Sequence, residues 1–158
     1  SIVFEAEHAE SDIMRRPPHP VDRPLFGAGT LALSLLQGAG VLVLCLAMFA
    51  GARHGGLGDG AARALAFTAL VAANLTLIFT NRSWTQPILG SLRRPNRALW
   101  WVSGATVAAL AIAVSLPPMR VLFRFAPTSV AQLGLAAAAG VAGIAWFELF
   151  KWLRRRSA

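Results

Sequence analysis

Few residues in this sequence could do chemistry, and they lie far apart. His8, His19 and His54 are scattered through polar stretches, and together they read as ordinary loop residues rather than a metal set. Cys45 is the only cysteine, which excludes an intrachain disulfide and a cysteine-cluster metal site; it reads as a buried core residue. The acidic group Glu5, Glu7, Glu10 and Asp12 could attract a cation through its summed field, but a solvated loop is the simpler account. Glu148 stands three residues before Lys151, the spacing of an ion pair at the end of a helix. No Walker phosphate loop, HExxH or Ser-His-Asp arrangement at a common depth is present. Asn74 is more informative, because its amide lies within an apolar run and must find a partner away from water. Interhelical hydrogen bonding, a carbonyl ligand or supporting group of an ion path, and hydration near an interface are the three readings open to it. Thr76 and Thr80 could share its surroundings, although a helical threonine can satisfy itself on a carbonyl three or four residues back. Gln37 and Gln132 read as interhelical or interfacial hydrogen bonders.

The elements that must position these residues follow from composition. Of 158 residues, 56% are hydrophobic and 14% charged, whereas about a quarter are charged in an ordinary soluble domain. Residues 24–52, 64–81, 98–119 and 125–147 contain no Asp, Glu, Lys or Arg. Roughly 20 helical residues cross a bilayer core. The expected fold is therefore all-α, an integral membrane four-helix domain with spans at about 26–50, 62–80, 99–116 and 129–150. Residues 1–26 form a separate turn-rich opening segment, and residues 27–158 form the four-span domain. Gly27, Gly29, Gly38 and Gly40 would leave room for close helix contact in the first span, as would the face Ala136, Ala139, Gly140 and Gly143 in the last. Five glycines in residues 51–60 mark a flexible connection, and residues 117–127 a short basic one rich in proline. Arg63 and Arg82 bracket the second span and are expected to snorkel to the interfaces, Trp100 and Trp101 belong at a headgroup boundary, and Thr128 or Ser129 would cap the fourth span.

The net charge of +8 acquires its meaning from where the basic residues fall. Eleven lie in the opening segment, the 81–97 loop and the tail, against four (Arg53, Arg63, Arg120 and Arg124) on the other side. The positive-inside rule then places both termini in the cytoplasm of a multi-pass cell membrane, expected to be the bacterial inner membrane. Nothing in this distribution resembles a nucleic-acid surface. On a cytoplasmic loop, the triplet Asn81-Arg82-Ser83 is a chance glycosylation match. The opening Ser1-Ile2-Val3-Phe4 lacks both Met and the pattern of a secretory signal, and suggests a chain cut from something longer.

Glu10-Ser11-Asp12-Ile13-Met14-Arg15-Arg16-Pro17-Pro18, followed by Pro24-Leu25, resembles the cytoplasmic segment after the sixth membrane helix of cation-transporting P-type ATPases of the calcium-pump or sodium/potassium-pump type. The likeness makes Ser1–Phe4 the end of that sixth helix and the four spans helices seven to ten, closing in Trp146-Phe147-Glu148-Leu149-Phe150-Lys151. It implies a parent pump that uses ATP and magnesium through an aspartyl-phosphate. The chain itself has no Asp-Lys-Thr-Gly motif and so no catalytic residues or cofactors of its own. Its implied partners are membrane lipid, the transported cation, and the parent's N-terminal transport helices and cytoplasmic domains. Asp12, Ile13, Met14, Pro17 and Pro18 would couple movements of the membrane and cytoplasmic parts. Leu70-Val71-Ala72-Ala73-Asn74-Leu75 would place Asn74 where calcium-pump relatives carry an acidic ion ligand on the eighth helix. An amide offers a carbonyl there without negative charge, leaving calcium, magnesium or another cation open. The leading expectation is a C-terminal support domain of such a pump, not catalytic by itself. The alternatives are a standalone membrane interaction or regulatory protein derived from this domain, and a four-helix transporter that dimerises.

Overall fold

The computed structural model describes residues 27–81 and 97–156, with side chains at the last helix described as far as Ala145. Among the described residues there are five helices and no strand: α1 (Ala28–His54), α2 (Asp59–Asn81), α3 (Arg97–Ser115), α4 (Pro117–Phe123) and α5 (Val130–Arg156). The domain is all-helical and membrane-embedded. Leu31–His54, Asp59–Thr80 and Arg97–Ser115 are each long and apolar enough to cross a bilayer, and in α5 the residues with described side chains, Val130–Ala145, are a further apolar stretch. The 27 residues of α1 would extend ~40 Å, more than a ~30 Å hydrocarbon core, so this helix must tilt or project.

Several helix ends have a local cause. At the end of α1, Leu57 N–H donates to the Ala52 carbonyl (3.0 Å) and Gly56 N–H to the Arg53 carbonyl (3.1 Å). This double closure needs a left-handed residue, supplied by Gly56 at φ 81°. An exposed Arg53–Asp59 ion pair of 2.9 Å spans the turn. Helix α2 consequently starts at Asp59, before the expected 62. The 117–127 connection contains an unforeseen helix, α4, because a proline at the first helical position gives up no hydrogen bond and comes with its φ preset. Helix α4 closes as α1 does, with Phe125 N–H on the Arg120 carbonyl (2.8 Å), but Arg124 occupies the left-handed position at φ 54°. A non-glycine residue there is under backbone strain. Ser129 and Gln132 form a reciprocal capping box at α5: Gln132 N–H donates to Ser129 Oγ (3.2 Å), and Ser129 N–H to Gln132 Oε1 (2.9 Å). This gives Gln132 a local task instead of the interhelical or interfacial one expected of it.

Helix α2 is the centre of the bundle, packed on α5 along most of its length and on α1. Most of its buried residues are small, Ala61, Ala62, Ala64, Ala69 and Ala73 beside Thr68, Thr80 and the larger Leu65. Ala69, Ala72 and Ala73 meet Gly140 of α5, where an added Cβ would lie 2.9 Å from the Ala72 Cβ and 3.0 Å from the Ala73 nitrogen. Gly143 likewise receives Leu44 of α1, whose Cδ2 would lie 2.9 Å from an added Cβ. Val41, Ala73 and Ile144 complete the core shared by the three helices. Without a hydrophobic difference between lipid and side chain, such backbone proximity is what holds helices together. The expectation for α1 is corrected: among the described residues, nothing lies within 4 Å of a Cβ added to Gly27, Gly29, Gly38 or Gly40. Helix α1 instead turns Gln37, Val41, Leu44 and Cys45 toward its neighbours.

Helix α3 lies to one side, touching α2 and α4. At its start Leu99 is fully buried and the Trp100 ring lies 6.4 Å from that of Phe79 on α2. Much of its remaining surface is exposed, as suits a helix facing lipid or further helices.

Candidate functional site

Helix α2 places its polar residues on different sides. Thr68 donates to the Ala64 carbonyl and Thr76 to the Ala72 carbonyl, both at 2.8 Å, so each satisfies itself within the helix. Thr80 is buried. Asn74 lies about 160° around the helix from Thr76 and is exposed. The structure thus separates Asn74 from Thr76, which do not share one environment. No hydrogen bond or ion pair to the Asn74 side chain occurs among the described residues. Its outward direction follows from the seam: small residues clustered at Ala62, Ala69 and Ala73 turn toward α5, and the opposite side carries Arg63, Phe67 and Asn74. Asn74 therefore makes no interhelical hydrogen bond among the described residues. An exposed amide in an apolar helix needs a partner, which none of the described residues supplies.

Gln37 presents the contrasting case. Only 8% of it is exposed, and its Nε2 atom has no hydrogen-bond partner among the described residues. The interhelical or interfacial hydrogen bond expected of it is not made there.

The described residues carry little charge. Asp59 is the only acidic residue between positions 27 and 145, and it is engaged with Arg53. No group of three or more His, Cys, Asp and Glu side chains that could hold a metal occurs among the described residues. His54 lies at the end of α1, with Nδ1 2.9 Å from the Ala50 carbonyl oxygen. A cation passing the exposed side of α2 would meet one neutral amide oxygen at Asn74. Hard cations need roughly six or more oxygens, so the rest of any such shell would have to come from other helices.

Asp12, Ile13, Met14, Pro17 and Pro18 lie outside the described residues, as do the Glu148 side chain and the 81–83 glycosylation triplet beyond its first backbone position. At the other end of α2, the structure assembles a cluster not foreseen in the sequence. Phe67 stacks on Phe123 at 6.0 Å and tilts against Phe125 at 5.5 Å. Arg63 Nη2 donates to the Arg124 carbonyl at 3.2 Å. Arg63 was expected only to snorkel; the hydrogen bond ties it to the turn after α4. That turn also presses on Gly60, where an added Cβ would lie 2.8 Å from the Ala126 nitrogen. The signal available in the sequence was the run of aromatic and basic residues at 120–125, with no indication of which helix it would meet.

Residues 1–153 match a protein family described as "Cation transporting ATPase, C-terminus". No curated protein sequence matches the chain significantly.

Proposed function

Since the chain belongs to the family of cation-transporting ATPase C-terminal domains, we propose that it is the membrane support of an ATP-driven cation pump and that the Asn74 side of α2 packs toward the pump's transport helices. The observation that carries this reading is the exposed Asn74 amide, without a partner among the described residues, on the side of α2 away from the α5 seam. In this arrangement α1, α2 and α5 form a stiff block, and Asn74 contributes a carbonyl ligand or a hydrogen bond beside the cation path. A neutral ligand favours a cation site carrying less negative charge than one with a carboxylate at this position. Residues 10–18, including Asp12, Ile13, Met14, Pro17 and Pro18, relay movement between membrane and cytoplasmic parts. Both termini are cytoplasmic, in a bacterial inner membrane.

The ATP and magnesium such a pump uses are assigned in this reading outside the domain, whose sequence carries no phosphate loop. Their binding belongs to other parts of the parent protein. The domain's contribution is positional, and its own residues carry no step of hydrolysis.

The test is Asn74→Ala in the full-length protein, reading the cation concentration for half-maximal phosphorylation and the membrane abundance. The expected result is a rise of about threefold or more, equivalent to ~0.7 kcal/mol of lost ligation, at unchanged abundance. Unchanged cation dependence at equal abundance rejects the cation-path role and favours the alternative of an interaction or regulatory domain. Lost abundance assigns Asn74 to packing.

A further inference from the structure

A cavity of about 420 Å³ lies between α2, α3 and α4, walled by Phe67 and Val71, by Leu110 and Ala113, and by Met119 and Phe123. Its one polar lining residue, Thr106, already donates its hydroxyl to the Val102 carbonyl at 2.8 Å. The interior therefore offers no free side-chain donor to a polar ligand. Its volume falls within the range of roughly 300–1,000 Å³ usual for small-molecule sites.

The rim has the opposite character. On α4, Met119 and Phe123 are four residues apart and both line the cavity; Arg120 follows Met119 in the helix, and Arg124 follows Phe123 at the left-handed residue that ends it. Arg63 lies one turn before Phe67 and is tied to the Arg124 carbonyl at 3.2 Å, while Phe67 stacks on Phe123. Each of three arginines thus stands next to a cavity-lining residue, Arg120 and Arg124 in sequence and Arg63 by one helical turn. None has an acidic partner among the described residues, because Asp59 is engaged by Arg53 at 2.9 Å. Val121 and Leu122, 78% and 68% exposed, give α4 a further apolar surface to set into a lipid boundary.

We infer that this end of the bundle holds one anionic phospholipid, with an acyl chain in the α2–α3–α4 cavity and its phosphate against Arg63, Arg120 and Arg124. The ligand has both characters the site displays, an apolar chain and a negative head, and is drawn from the membrane in which the domain is embedded. Guanidinium groups bind phosphate oxygens through paired N–H donors. Arg63 spends one donor on the Arg124 carbonyl and keeps others for the head group. A zwitterionic lipid could fill the same cavity but would leave the excess positive charge unmatched.

The full-length protein, purified in detergent and exposed to equimolar phosphatidylglycerol and phosphatidylcholine, is examined by native mass spectrometry. The parent is expected to retain phosphatidylglycerol over phosphatidylcholine by about fivefold or more. The triple variant Arg63→Gln, Arg120→Gln, Arg124→Gln brings that ratio close to one. Ala109→Phe, which narrows the α3 wall of the cavity, reduces retention of phosphatidylglycerol with all three arginines intact. Should the triple variant fail to fold, judged by its thermal midpoint, Arg120→Gln alone replaces it and is expected to lower the ratio at least twofold. Equal retention of the two lipids by the parent overturns the inference, as does an undiminished preference in the arginine variant. Displacement of the lipid signal by inorganic phosphate also overturns it, by reducing the site to one for a free anion. Absence of any lipid adduct does the same and leaves the cavity to a neighbouring helix.

Discussion

The two sides of α2 are built on different principles. Toward α5, Ala72 and Ala73 stand so close to Gly140 that one added carbon finds no room. Toward α3 and α4, the same helix presents Phe67 and Val71 to a cavity of about 420 Å³. One side is joined by backbone proximity, and the other is bridged by aromatic rings with space left between them. Small residues let helices approach where lipid offers no hydrophobic reward for association. Large ones standing apart leave room for a ligand. A support domain needs the first kind of contact to stay rigid, and the second gives it a surface on which lipid or other helices can act.

The comparison breaks if the two sides tolerate added volume equally. Gly140→Leu should be the most damaging change, because the new side chain enters the α2 backbone and cannot be accommodated by one rotamer. A loss of ~3 kcal/mol or more is expected, seen as a collapse in membrane abundance and a lower thermal midpoint of the full-length protein. A midpoint close to that of the parent would show that the seam is not tight.

Ala113→Leu should be much milder, although Ala113, at 7% exposed, is nearly as buried as the seam alanines. Its new methyl groups extend into the cavity. A change within ~1 kcal/mol of the parent is expected, measured by the same thermal midpoint. Equal damage from this substitution would mean that the cavity is closed in the assembled protein.

The three long apolar helices were legible because a run of about 20 uncharged residues has few other outcomes. Which side of each helix would be buried was harder to read. Gly38 and Gly140 are the same residue type in similar apolar surroundings, yet only Gly140 meets a neighbour. The difference lies in how α1 is rotated, which is a property of the packed bundle and not of local spacing. Helix α4 was hidden because Pro117 and Pro118 read as breakers, although proline is well suited to a first helical turn. The Ser129-x-x-Gln132 spacing was a readable capping signal, and only the serine's part was assigned. Asn74 stood out as an amide in an apolar run, but its direction depended on the α2–α5 seam turning it outward.

That outward direction leads to the central claim, that the Asn74 side of α2 is covered by the pump's transport helices. The most direct measurement places a nitroxide spin label at position 74, through Asn74→Cys with Cys45→Ser, in the full-length protein reconstituted into a bilayer. Its collision rate with dissolved oxygen is compared with that of a spin-labelled lipid chain at the same depth. The account predicts a rate several-fold below the lipid value, because protein surrounds the label. A rate equal to that of the lipid would place Asn74 against the bilayer and contradict the claim.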